Sequence, residues 1–136
     1  MGRVWVLNFF FTSCPLVCPV VNGRISQLVQ KYSDNPDVRF LSLSIDPERD
    51  TPAVLSEYAK RFNADPNRWA FLTGDLASVK HLMRDVFNLG AFDDVNLHST
   101  RLILIDRSMQ IRGFYQGNDS ESLSELDAQI GKLLVR

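Results

Sequence analysis

The sequence predicts an α/β fold, a central mixed sheet with helices on both faces, built as one domain over residues 1–136. Three observations predict it. Short β-branched and aromatic runs alternate with stretches of helical spacing, which is the pattern of βαβ units. The opening βαβ unit sets its two strands parallel through a right-handed crossover. The last two strands are joined by the short turn Arg107-Ser108, so they form an antiparallel hairpin.

Val4 to Phe11 (VWVLNFFF) is apolar except at Asn8, as suits a central strand covered on both sides. Thr12-Ser13-Cys14-Pro15-Leu16-Val17-Cys18-Pro19 ends that strand, and Pro19 opens a helix at the first helical position. Val20, Val21, Ile25, Leu28, Val29 and Tyr32 give that helix its apolar side. Val38 to Ile45 is the second strand. Thr51-Pro52 reads as an N-cap followed by proline, starting a helix that runs to about Phe62 with Val54, Leu55, Tyr58 and Phe62 facing inward. Trp69 to Leu72 is a short strand near a sheet edge, and Asp75 to about Asn88 is a helix. Residues 89 to 100 read as a long loop. Arg101 to Asp106 and Met109 to Tyr115 make the hairpin, and Gly117-Asn118-Asp119-Ser120 leads into a last helix ending near Leu134. The order β-α-β-α-β-α-β-β-α is the thioredoxin-like three-layer plan with a strand and helix inserted between its halves.

Composition removes several classes of function. Of 136 residues, 45% are hydrophobic and 23% charged, which excludes a disordered or collagen-like chain. The formal net charge is −1, so no basic excess points to nucleic acid or an anionic membrane surface. No apolar run approaches the roughly 20 residues of a membrane helix. Met1-Gly2-Arg3 leads directly into Val4-Trp5-Val6-Leu7, which lacks the pattern of a signal peptide.

The chemistry concentrates at Cys14 and Cys18, the only cysteines, four positions apart between a strand end and a helix start. That end of an open α/β sheet is where ligands bind. A helix N-terminus also favours the thiolate, which is both metal ligand and nucleophile. A pair at this spacing can close a disulfide or hold one soft metal ion. Redox dithiols of the thioredoxin type have two intervening residues and a cis-proline before the hairpin strand. Here three residues intervene, and the six prolines all lie between Pro15 and Pro66. Leu97-His98-Ser99-Thr100 takes the proline's place, opposite the two thiols on fold geometry, so His98 is read as a third ligand. Two thiolates and one imidazole form a soft donor set suited to copper, while structural zinc would want a fourth protein ligand. Asp46 is read as a turn or helix cap ahead of a ligand, His81 as a surface or half-buried residue, and Met83 and Met109 as core packing.

Taken together, Phe11-Thr12-Ser13-Cys14-Pro15-Leu16-Val17-Cys18-Pro19, then Ser44-Ile45-Asp46-Pro47-Glu48-Arg49-Asp50-Thr51-Pro52, then His98-Ser99-Thr100 resemble the Sco/SenC family. These are thioredoxin-fold copper proteins of cytochrome c oxidase assembly. The resemblance implies copper, as Cu(I) or Cu(II), on Cys14, Cys18 and His98, with the two cysteines also cycling between dithiol and disulfide. It implies a metallochaperone that receives copper from a donor chaperone. The recipient would be the CuA-bearing subunit of cytochrome c oxidase or another cuproprotein. The alternatives are a thiol-disulfide oxidoreductase acting on the oxidase cysteines through Cys14 and Cys18, or, on fold analogy, a peroxidase-like thiol enzyme. The family's usual membrane anchor and N-terminal hairpin are expected to be missing from this chain. The full-length protein is expected to be periplasmic or anchored facing the periplasm, or in the mitochondrial intermembrane space if eukaryotic.

Overall fold

The computed structural model describes residues 3–10, 17–44, 49–62, 64–65, 67–81, 101–117 and 119–134. Along the chain these form β1 (Val4–Phe10), α1 (Val17–Lys31), β2 (Val38–Ser44), α2 (Pro52–Arg61), β3 (Trp69–Leu72), α3 (Leu76–His81), β4 (Arg101–Ile105), β5 (Ile111–Gln116) and α4 (Ser120–Leu134). The five strands make one mixed sheet in the order β3-β2-β1-β4-β5. β1 runs parallel to β2, from Val4 beside Val38 to Phe10 beside Ser44, and β2 runs parallel to β3. β4 is antiparallel to β1, with Leu102 beside Asn8, and the hairpin sets β5 antiparallel to β4. The apolar run of β1 therefore occupies the centre of the sheet, and β3 lies at an edge, as their sequences predict.

Strand alternation sorts the core. Val4, Val6, Phe40, Leu102 and Leu104 face one side, where Val21, Ile25 and Leu28 of α1 and Leu126 and Ile130 of α4 pack on them. Phe10 continues that face beneath Leu55 and Tyr58 of α2. Leu7, Phe9 and Ile103, on the opposite face, are buried as well. Burial from both sides explains why β1, apart from Asn8, and β4 after Arg101 read as continuous apolar runs rather than alternating ones.

Local chemistry sets the element boundaries. The Thr51 hydroxyl accepts the Val54 N–H at 3.3 Å and Pro52 begins α2, the predicted cap. At α3 the Asp75 carboxylate takes the Ser78 N–H and hydroxyl, both at 2.9 Å, and these donations hold its carboxyl below the usual range. The first helix starts two residues earlier than predicted, so Pro19 is its third residue. Proline is tolerated there because N–H groups of the first turn have no intrahelical acceptor. Val20 and Val54, expected on inward faces, are exposed, one position off the buried stripes of Val21 and Leu55. The predicted ends at Phe11 and Ile45, and the third helix beyond His81, lie outside the described residues, as does Met83. His81 is exposed.

The hairpin differs from its prediction. Asp106 reaches back to accept the N–H groups of Ser108 at 2.9 Å and Gln110 at 3.0 Å, so the turn extends to Gln110 and β5 starts at Ile111. Met109 takes φ 64° in that turn and is 54% exposed, so it is no core residue. Within β5, a Cβ on Gly113 would stand 3.0 Å from the Tyr115 hydroxyl oxygen, so a larger residue there requires the Tyr115 ring to shift.

Two polar clamps tie the helices down. Arg107 donates to the Leu133 and Leu134 carbonyls at 3.3 and 3.4 Å, capping α4, and pairs with Asp37. Between α1 and α4, Lys31 and the Tyr32 hydroxyl both donate to the Asp127 carboxylate. Burial works against the Asp127 charge, but these two donors outweigh it and hold its carboxyl below the ordinary value. A depressed folded pKa contributes stability above the unfolded value, roughly 3.9, and loses it as pH falls through the folded value. Asp127→Asn is therefore expected to cost about 1 kcal/mol at pH 7, since Lys31 is largely solvated. Urea titrations from pH 7 to pH 2.5 should show the gap between wild type and variant closing at the acid end. A gap independent of pH would mean that the carboxylate's charge contributes nothing.

Candidate metal centre

The topology brings together the points from which the motif segments hang. β1 ends at Phe10 and β2 at its neighbour Ser44, so the two parallel strands end side by side. β4 enters the sheet from the same end, because it is antiparallel to β1 and its Leu102 pairs with Asn8. The segment bearing Cys14 departs from Phe10 and rejoins at Val17. The segment bearing Asp46 departs from Ser44, and His98 precedes Arg101 by three residues. This is the carboxyl end of the parallel strands, the expected ligand end of such a sheet.

Cys18 is the second residue of α1, within the first turn, where backbone N–H groups and the helix dipole favour negative charge. Cys14, Asp46 and His98 lie outside the described residues. Among the described residues no three His, Cys, Asp or Glu side chains form a metal-holding group.

Close to these strand ends lies a set of buried polar side chains. Asn8 donates to the Asn22 amide oxygen at 3.3 Å, and Asn22 donates to the Tyr58 hydroxyl at 3.1 Å. Ser42 donates to the Asn8 amide oxygen and accepts the Trp69 indole N–H at 2.9 Å. Nearby, the Ser44 hydroxyl lies 2.6 Å from the Asp50 carboxylate, and Asp50 is 1% exposed. That contact anchors the start of α2 to the end of β2. Sequence reasoning found none of these pairings. The available signals were the lone polar residue in the β1 run and a second asparagine, Asn22, next to the apolar Val21.

The protein-family model described as SCO1/SenC matches residues 1–134. The chain belongs to the SCO1/SenC family. It is 33% identical over 135 residues to the SCO2-like protein of Rickettsia typhi, an alignment covering 91% of this chain and 64% of that one. The chain spans less than two thirds of the length of the curated relatives it matches. Among solved structures, the SCO1/SenC family lipoprotein from Bacillus anthracis superposes with a TM-score of 0.81 at 27% identity, covering 98% of this chain and 82% of that one. Arabidopsis thaliana ScoI, solved with copper bound, superposes with a TM-score of 0.75 at 28% identity, covering 97% and 86%. The sheet order and helices of this SCO1/SenC chain are thus those of the thioredoxin-like fold its relatives share.

Proposed function

We propose that this SCO1/SenC chain is the copper-binding part of a metallochaperone, holding copper through Cys14, Cys18 and His98 and passing it to a cuproprotein. The observation that supports this reading is that Phe10, Ser44 and Arg101, the described residues next to the three motif-bearing stretches of sequence, lie at one end of the sheet. The copper bound in Arabidopsis thaliana ScoI supports the choice of metal. Two thiolates supply the soft donors that Cu(I) prefers, and an imidazole accommodates Cu(II) as well. Transfer then proceeds by ligand exchange, with the recipient's donors replacing these one at a time.

The family's link to cytochrome c oxidase makes its CuA-bearing subunit the recipient of choice, with a donor chaperone upstream. The lipoprotein nature of the Bacillus anthracis relative supports a location on the outer side of a bacterial membrane. Among the described residues, no helix is long and apolar enough to cross a membrane. The position of Cys18 in the first turn of α1 also favours thiol-disulfide chemistry. The two activities are compatible, because a Cys14–Cys18 disulfide has no thiolates to offer and its reduction would license loading.

Reduced protein dialysed against a competing chelator is expected to retain one copper per chain, and no retained copper would end the reading. His98→Ala separates ligand from loop residue. As a ligand it should leave the apo melting temperature within about 2 °C of wild type, change the Cu(II) absorption spectrum, and weaken Cu(I) binding without abolishing it. An unchanged Cu(II) spectrum removes His98 from the site.

A further inference from the structure

We propose that the buried chain Trp69–Ser42–Asn8–Asn22–Tyr58 is a positioning device that sets the thiol-disulfide equilibrium of Cys14 and Cys18. The inference rests on the reading of those two cysteines as a redox-active, metal-binding pair. The five side chains come from β3, β2, β1, α1 and α2 in turn, and none is more than 4% exposed.

The hydrogen bonds of the chain run in one direction. An indole N–H can only donate, so the Ser42 oxygen accepts from Trp69; the Ser42 hydroxyl in turn donates to the Asn8 amide oxygen. The Asn8 amide nitrogen then donates to the Asn22 oxygen, and the Asn22 nitrogen to the Tyr58 oxygen. Buried networks of this kind contribute little net stability, since apolar side chains of similar shape would serve a core as well. What hydrogen bonds add is direction. They fix how α1 sits against β1 and α2, where apolar contact alone would allow sliding.

That direction bears on the cysteines because of where the chain crosses. Asn8 is two residues before the end of β1, and Asn22 is one helical turn after Cys18. The Asn8–Asn22 bond therefore joins the two supports of the six-residue segment 11–16, which carries Cys14 between Phe10 and Val17. A disulfide tolerates only a narrow range of Cα separations, so a shift of α1 against β1 changes the strain of the S–S bond but not of the free thiols. Any effect that differs between the oxidised and reduced forms must appear in the equilibrium between them.

The test uses the whole chain in glutathione buffers. Two thiols, Cys14 and Cys18, give two protons and two electrons to glutathione disulfide. The products are one intramolecular S–S bond and two molecules of glutathione. The oxidised fraction is read by alkylation and mass spectrometry for wild type, Tyr58→Phe and Asn22→Leu, and the urea stability of each form is measured alongside. Tyr58→Phe removes one hydroxyl and keeps the aromatic contacts, so it provides the comparison even if Asn22→Leu does not fold. The variants are expected to shift the equilibrium constant about fivefold or more. The same factor should appear as the difference between the stability losses of the oxidised and reduced forms. Equal losses in both forms, with the wild-type equilibrium constant retained, would reduce the chain to a structural element and overturn the proposal. A wild type that forms no intramolecular disulfide at any glutathione ratio would overturn the reading of the cysteine pair as well.

Discussion

Serine at Cys14 or at Cys18 is expected to abolish stoichiometric Cu(I) binding. A serine hydroxyl is a hard donor that stays protonated near neutral pH, whereas the thiolate it replaces is the soft ligand Cu(I) selects. On the proposed ligand set, each variant would leave one thiolate with the imidazole of His98, too few soft donors to compete with a strong chelator. Affinity is expected to fall roughly a hundredfold or more, which is about 2.7 kcal/mol of binding. The apo fold should be almost untouched. Position 18 lies in the first turn of α1, where serine is well accommodated, and position 14 lies between the end of β1 and the start of α1. Copper retained per chain after dialysis should therefore drop from about one to near zero while the apo melting curve stays in place. Full occupancy in either variant would remove that cysteine from the site, and loss of the apo fold would show a structural role instead.

Much of the fold was legible because its signals are local. The apolar runs at 4–10 and 101–105 and the Thr51-Pro52 cap each declare themselves within a few residues, and the structure carries them as β1, β4 and the start of α2. The motifs were legible for a different reason, since their residue types are rare and closely spaced. What escaped is non-local. Asn8 and Asn22 are 14 residues apart, and Asn22 and Tyr58 are 36 apart, so nothing in any short window says that these amides meet. The hairpin was misread for a local but competing reason. Asp106 satisfies two turn N–H groups with its side chain, which displaces Met109 from the strand into a left-handed turn position. Helical spacing placed Val20 and Val54 on apolar stripes, but the buried width of each helix is narrower than the run of apolar residues on it.

The second large effect expected is on stability, at Phe10. This side chain is fully buried at the end of β1, its ring stacked on Tyr58 with centroids 5.2 Å apart and set edge-on to Phe71 at 5.5 Å. Phe10→Ala removes the ring from between α2 and the sheet and leaves a cavity that Leu55, Tyr58 and Phe71 can close only by moving. Large-to-alanine changes at such sites cost about 3–5 kcal/mol, a substantial part of the total stability of a domain this size. The melting temperature should fall by about 10 °C or more. Phe10→Leu, which keeps most of the volume and loses the ring contacts, should cost about 1 kcal/mol. Urea titration of the three proteins measures both steps, and a loss below about 1 kcal/mol for Phe10→Ala would show that the cluster does not anchor this strand end. The order of the two losses also tests the route from core to site. Phe10 is the last described residue before the segment bearing Cys14, and its partner Tyr58 is the acceptor for Asn22. If the aromatic cluster holds that strand end in place, Phe10→Leu should leave copper retention intact, whereas Phe10→Ala should weaken it even at temperatures where the protein stays folded.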